Sequence, residues 1–99
     1  MTMDLSNINE TIKLLQELIK IPSINGTDGE YKLAKYIKIF LDKHKIMSKY
    51  IGQKNKPNVL FELKGTEGDG RILLLNTHLD TVPVQEGWKY SPFKGVLKG

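Results

Sequence analysis

The chain has 99 residues and a formal net charge of +4, a length that fits one domain. With 39% hydrophobic and 26% charged residues, its composition is typical of a globular protein and excludes a disordered chain. No apolar stretch approaches the roughly 20 residues that a membrane span needs, so we expect no membrane association. The absence of cysteine excludes disulfides and thiolate metal sites and is compatible with the cytoplasm, where we expect the protein. The first residues lack the basic start and apolar core of a secretory signal, so none is expected.

Positive charge is concentrated between Tyr31 and Lys64, where nine lysines accompany only Asp42 and Glu62. A basic surface of this kind attracts nucleic acid or an acidic partner. The simpler interpretation, which we favour, is the solvated face of a helix. Arg71 is the only arginine, whereas phosphate and base recognition favour the forked guanidinium group. We therefore expect no nucleic-acid partner.

The first predicted element is a helix from about Asn7 to Lys20. Asn7 followed by Glu10 resembles a capping box, which marks a helix start. Ile21-Pro22 ends the helix, because a residue before proline is pushed toward extended geometry. The apolar residues recur with the spacing of one helical face: Ile8, Ile12, Leu15, Leu18 and Ile19.

The second predicted helix runs from about Asp28 to His44, after a polar loop over residues 23–29. Thr27 and Glu30 have the spacing of a capping box. His44 lies among lysines at the C-terminal end, where interaction with the helix dipole is a better interpretation than metal binding. Lysines lie on the outer face and margins, and the predicted inward face consists of Leu33, Ala34, Ile37, Phe40 and Leu41.

Three strands are predicted after the helices. The first covers about residues 46–51 and alternates weakly, and the second, residues 58–64, alternates as a half-exposed strand does. A glycine-rich turn over residues 65–70 leads to the third, residues 71–77, which is apolar on both faces. Continuous apolar sequence is typical of a central strand covered on both sides. Two helices followed by such strands indicate a layered α/β fold.

The candidate functional residues follow the third predicted strand, as His78-Leu79-Asp80. Residues two apart in an extended segment point the same way, so His78 and Asp80 are predicted to touch. A metal-binding imidazole uses one ring nitrogen for the ion and donates the other N–H to a carboxylate. Functional groups also gather beyond the carboxyl ends of strands in open α/β sheets. The structural alternative is a strand-terminal histidine that bonds to Asp80 or to backbone, with Asp80 as a turn residue.

The stretch from Leu73 to Pro83 resembles the first sequence signature of the M20 family of metallopeptidases and amidohydrolases. The H-x-D-T-V-P of that family is present as residues 78–83, and residues 87–93 match the G-W-x-x-x-P-F that usually follows. The loop at Ile21-Pro22-Ser23 also looks like a family position, so the resemblance extends over nearly the whole chain. Thr77 and Ser91 depart from the pattern, which usually has a small residue and an acidic residue at these positions.

The resemblance implies a partial three-layer αβα sandwich of the zinc-peptidase type, two helices followed by a mixed sheet. Residues 1–99 would be the N-terminal portion of one catalytic domain. The resemblance makes His78 a ligand of a metal ion and Asp80 the active-site carboxylate that orients His78. The implied cofactor is zinc, as one or two ions, with cobalt or manganese as alternatives. The implied reaction is hydrolysis of amide bonds in N-acyl amino acids or short peptides by a metal-activated water, with a homodimer as one candidate assembly of the full-length enzyme.

The other metal ligands and the general base of that family come from a Gly-Arg-Gly-x-x-Asp segment and a Glu-Glu pair, which these 99 residues do not contain. We therefore expect an N-terminal fragment of a longer enzyme that binds metal weakly and is inactive alone. Two other hypotheses stay open: a small basic binding domain for an acidic partner or nucleic acid, and a non-catalytic truncated relic. The first predicts nucleic-acid affinity that falls steeply with salt, and the DNA beyond codon 99 tests the second.

Overall fold

The computed structural model describes residues 7–68 and 70–99. Two helices come first, α1 (Ile8–Ile19) and α2 (Gly29–Lys43), and two strands follow, β1 (Ser48–Gln53) and β2 (Lys56–Phe61). Residues 1–6 and 69 lie outside the described residues, so the expected lack of a secretory signal and one position of the glycine-rich turn stay predictions. Neither described helix combines the length and apolar character that crossing a membrane requires.

Helix α1 begins and ends close to where the sequence predicts. The Asn7 side chain accepts a hydrogen bond from the Glu10 backbone N–H at 3.3 Å, which satisfies a donor that the helix start leaves unpaired. The helix ends at Ile19, and Pro22 follows shortly after. None of its residues is buried, so its apolar face is only partly covered. One long-range contact joins Gln16 to Gly95, whose carbonyl accepts a hydrogen bond from the Gln16 amide at 2.7 Å.

Helix α2 carries most of the buried apolar side chains among the described residues. The predicted inward face of α2 is confirmed, since three of its members are buried and the other two are half-buried. Removing an apolar side chain from water favours folding in proportion to its buried area, so this face is the centre of the fold. The buried apolar residues are Leu33, Ala34 and Leu41 on the helix and Ile46 just after it.

The start of α2 packs tightly on the loop that precedes it. Gly29, the first residue of the helix, is buried, and a Cβ at this position would overlap the Pro22 carbonyl oxygen. Glycine therefore allows a close approach that any other residue would block. The N-cap is Asp28, which makes no capping bond. The hydroxyl of the predicted cap Thr27 accepts a hydrogen bond from the Gly29 N–H at 3.3 Å and donates to the Ile24 carbonyl at 2.6 Å.

Strands β1 and β2 form an antiparallel hairpin in which Ser48 pairs with Phe61 and Gln53 pairs with Lys56. Both strands are displaced by two or three residues from their predicted positions toward the two-residue turn at positions 54–55. Lys38 of α2 joins the helix to the hairpin, because its ammonium donates to the Ser48 carbonyl at 3.2 Å. The same ammonium lies 5.7 Å from the centre of the Tyr50 ring, within cation–π range.

The third predicted strand is wrong for the described chain, in which residues 71–77 form no strand. Strand formation needs a neighbouring backbone that takes up the N–H and C=O groups, and β1 and β2 pair with each other instead. The described residues therefore form a small α/β fold with a two-stranded sheet, and the mixed sheet of a three-layer sandwich is not seen within them. At least 77% of the surface is exposed at each of Ile72, Leu73, Leu74 and Leu75.

Candidate metal-binding site

His78 and Asp80 are brought together, as the sequence predicts. The Nδ1 atom of His78 lies 2.9 Å from the backbone carbonyl oxygen of Asp80 and 3.4 Å from its carboxylate Oδ1. The shorter contact is thus to the carbonyl, whereas the sequence predicts the carboxylate as the partner. Both partners are acceptors, so Nδ1 donates and carries the proton.

The protonation of Nδ1 leaves the lone pair of Nε2 available in the neutral imidazole. The His78 side chain is 83% exposed, and Nε2 makes no hydrogen bond to any residue that the structure describes. Metal-binding histidines are held in this manner, with one nitrogen bonded to oxygen and the other facing the ion. The arrangement therefore suits a divalent cation bound through Nε2.

Asp80 is held on its other side by Asn25. The Asn25 side-chain amide donates to Asp80 Oδ2 at 2.7 Å, while Oδ1 faces the His78 ring. A hydrogen bond to a charged carboxylate is shorter and stronger than one between neutral groups. The sequence does not point to Asn25, which precedes Asp80 by 55 residues in a polar loop where asparagine is an ordinary turn residue. No sequence signal distinguishes it from other loop residues.

The loop between the helices is also bonded to the backbone on both sides of Asp80. Ser23 is 3% exposed, and its hydroxyl donates to the Leu79 carbonyl at 2.7 Å. The Thr81 N–H donates to the Ser23 carbonyl at 3.0 Å, and the Asn25 N–H donates to the Thr81 carbonyl at 2.8 Å. The two backbone bonds form an isolated parallel β-bridge between Ile24 and Thr81. We call residues 23–25 the clamp loop, because they fix the backbone that carries Asp80.

His44 lies at the C-cap of α2 and is not positioned as a metal ligand. Its Nδ1 lies 2.8 Å from the Phe40 carbonyl oxygen, one of the last carbonyls of the helix, which have no partner within it. The centres of the His44 and Phe40 rings are 4.2 Å apart. This is the helix-end position that the sequence predicts for His44.

The donor set of the candidate site is small. Across residues 7–68 and 70–99, no group of three histidine, aspartate or glutamate side chains is arranged to hold a metal ion. A catalytic zinc usually has three protein ligands, so His78, the candidate ligand, and Asp80, its orienting carboxylate, supply part of such a site.

An apolar cavity of about 850 Å³ lies beside His78. It is open to solvent and lies between the helices and the segment after Asp80. The apolar face of α1, which is only partly covered, borders this cavity. Its lining includes Leu18, Leu33, Val82, Trp88 and Phe93.

Comparison with known proteins relates this chain to hydrolases. It is 29% identical over 86 residues to aminoacylase-1 of Dictyostelium discoideum, a match that covers 86% of this chain and 21% of that protein. It is 34% identical over 112 aligned residues to an uncharacterized metallohydrolase of Methanocaldococcus jannaschii, which covers 92% of this chain and 26% of that protein. No family model matches the chain, and no solved structure gives a significant match.

The chain spans about a fifth to a quarter of the length of these curated relatives. Both relatives have names of hydrolases, and the second has the name of a metal-dependent one. The similarity therefore indicates a relationship to metallohydrolases at the level of a broad family.

Proposed function

We propose that this chain supplies a metal ligand, His78, and its orienting residue, Asp80, to a zinc-dependent amide hydrolase of the M20 type. The substrates we propose are N-acyl amino acids or short peptides, which are small molecules. The observation that carries the proposal is the His78 ring, held at Nδ1 by Asp80 and open at Nε2. The similarity to an aminoacylase and to a metallohydrolase supports the hydrolase class, and the H-x-D-T-V-P signature supports the M20 type.

The residues present fit a metal ion in their chemistry. His78 would hold the ion through Nε2, because the Asp80 carbonyl fixes the proton on Nδ1. The Asp80 carboxylate, 3.4 Å from Nδ1, adds negative charge beside the ring and makes the imidazole a better electron donor. When bound, the metal supplies a Lewis acid that activates water and polarises the amide carbonyl.

Zinc titration by calorimetry near neutral pH tests the ligand assignment. We expect weak binding by the wild-type chain, loss of binding in His78→Gln, and retention in His44→Gln. The second variant is the matched control, because it removes the only other histidine and leaves the site intact. Equal binding by wild type and His78→Gln would contradict the assignment. A tight, stoichiometric site would show that the chain holds more metal ligands than His78.

Amide hydrolysis is tested on the protein at its natural length. We expect release of free amine from N-acetyl amino acids or dipeptides, loss of this activity on chelation, and recovery on adding zinc. The His78→Gln variant should lose activity, whereas His44→Gln should keep it. Hydrolysis that survives both chelation and His78→Gln would exclude the proposed function.

A further inference from the structure

Asn25, Asp80 and His78 form a continuous chain of polar contacts. The Asn25 amide donates to Oδ2 of the Asp80 carboxylate at 2.7 Å. The other oxygen, Oδ1, lies 3.4 Å from His78 Nδ1. The carboxylate thus has one oxygen for each neighbour, and the geometry points to Asn25 as a positioning residue for His78. This inference rests on the metal-binding function proposed above.

The Asp80 side chain needs such a partner to keep its orientation. It is 36% exposed, so water competes for both of its oxygens and the carboxylate can rotate about its side-chain bonds. A donor bonded to Oδ2 restricts that rotation and leaves Oδ1 beside the imidazole. Groups that orient a metal ligand in this indirect way contribute to metal affinity.

The backbone of Asn25 is itself fixed relative to Asp80. Its N–H donates to the carbonyl of Thr81, the residue after Asp80, at 2.8 Å. The buried Ser23 hydroxyl binds the carbonyl of Leu79, the residue before Asp80. The clamp loop therefore presents the Asn25 amide from a backbone that is bonded to both neighbours of its target.

The chemistry of asparagine suits this position. Its amide donates a hydrogen bond without adding charge, so the negative charge of Asp80 stays available to His78. An aspartate at position 25 would have nearly the same shape but would lack the donor. Two carboxylates at this distance repel each other, so the Asp80 side chain would be displaced.

The test uses Asn25→Ala, which removes the donor, and Asn25→Asp, which replaces it with a repelling acceptor. The matched controls are Asn58→Ala and Asn58→Asp, which make the same changes at an exposed position on strand β2. Two quantities are measured: zinc affinity by calorimetry, and the tautomer of His78 from its ring ¹⁵N chemical shifts without metal. Backbone amide spectra of the hairpin check that each variant is folded.

We expect zinc affinity to fall about tenfold in Asn25→Ala, the lower end of the range for groups that orient a metal ligand, and further in Asn25→Asp. We also expect the fraction of His78 that is protonated at Nδ1 to fall partway, because the displaced Asp80 carboxylate no longer adds negative charge beside Nδ1, whereas the Asp80 carbonyl still accepts from it. Both quantities should stay unchanged in the Asn58 variants. A purely structural role of Asn25 would leave the tautomer of a folded variant unchanged.

The two proposals fail in different ways. An unchanged tautomer and unchanged zinc affinity in Asn25→Ala, with binding still lost in His78→Gln, would overturn the positioning role alone. Equal zinc binding by wild type and His78→Gln would overturn the metal assignment on which the inference rests.

Discussion

Gly29 begins helix α2 directly against the carbonyl oxygen of Pro22, leaving no room for a Cβ. This contact ties the helix to Pro22, the residue before the clamp loop. One residue later, Ser23 begins the clamp loop, which is bonded on both sides of Asp80. The clamp loop that bonds the backbone around Asp80 therefore lies next to the packed start of α2, which is far from Asp80 in sequence.

Replacing Gly29 with alanine should destabilise the fold. Glycine-to-alanine changes within helices usually stabilise a protein, by roughly 0.5–1 kcal/mol. A loss of stability would therefore distinguish the close approach from ordinary helix propensity. Here the methyl group would overlap the Pro22 backbone, and we expect a loss of about 1–3 kcal/mol, as for an overpacked site. The free energy of unfolding in urea measures this loss. Gly65→Ala is the control, since nothing lies within 4 Å of a Cβ there, and equal stabilities of the two variants would contradict the close approach.

Replacing Ser23 with alanine should weaken the clamp loop. The buried hydroxyl donates to the Leu79 carbonyl, and its removal leaves a carbonyl without that partner. A lost hydrogen bond at a buried site costs about 1–3 kcal/mol, which urea unfolding would detect. The exposed Ser91→Ala should change stability by less than about 0.5 kcal/mol. A Ser23→Ala variant as stable as Ser91→Ala would show that the bond contributes little.

The helices could be predicted because their signals are local. The Asn7 cap and the apolar face of α2 are formed by residues within a few positions of each other, so spacing alone identifies them. The contact between His78 and Asp80 is local for the same reason, because residues two apart share a side of an extended segment.

Two of the three features that were wrong or missed depend on residues distant in sequence. The apolar residues from Ile72 to Leu75 predict a buried strand, but the pattern does not say which backbone pairs with it. Asn25 reaches Asp80 only because the loop before α2 crosses the segment after residue 77. The preference of His78 for a carbonyl over a carboxylate depends on side-chain rotation, which spacing does not determine.

The lysine-rich surface should not bind nucleic acid. Three of its lysines lie within 4 Å of acidic oxygens, which reduces the charge available to phosphates. We expect no DNA or RNA binding by fluorescence anisotropy at physiological salt. Binding that falls steeply with added salt, and is weaker in Lys35→Glu, would favour the alternative of a basic binding domain. The three pairs are Lys32–Asp28, Lys38–Asp42 and Lys56–Glu30.

The free energy of unfolding should fall as the pH rises in the alkaline range, because the Tyr50 phenol ionises. Burial raises the pKa of the Tyr50 phenol above its ordinary value of 10.0, and the nearby Tyr31 and Asp42 add to the shift. The folded chain therefore holds the phenolic proton more tightly than the unfolded chain. The resulting stability is fully present below the unfolded pKa and is lost as the pH rises through the folded pKa.

Urea unfolding of wild type and Tyr50→Phe at about pH 8 and about pH 11, on either side of the ordinary tyrosine pKa, measures this effect. Because phenylalanine has no ionisable group, the stability of wild type relative to Tyr50→Phe should decrease as the pH rises. The other titrating groups are common to both chains and cancel in the difference. A difference that stays constant with pH would show that the hairpin leaves the Tyr50 phenol as solvated as it is in the unfolded chain.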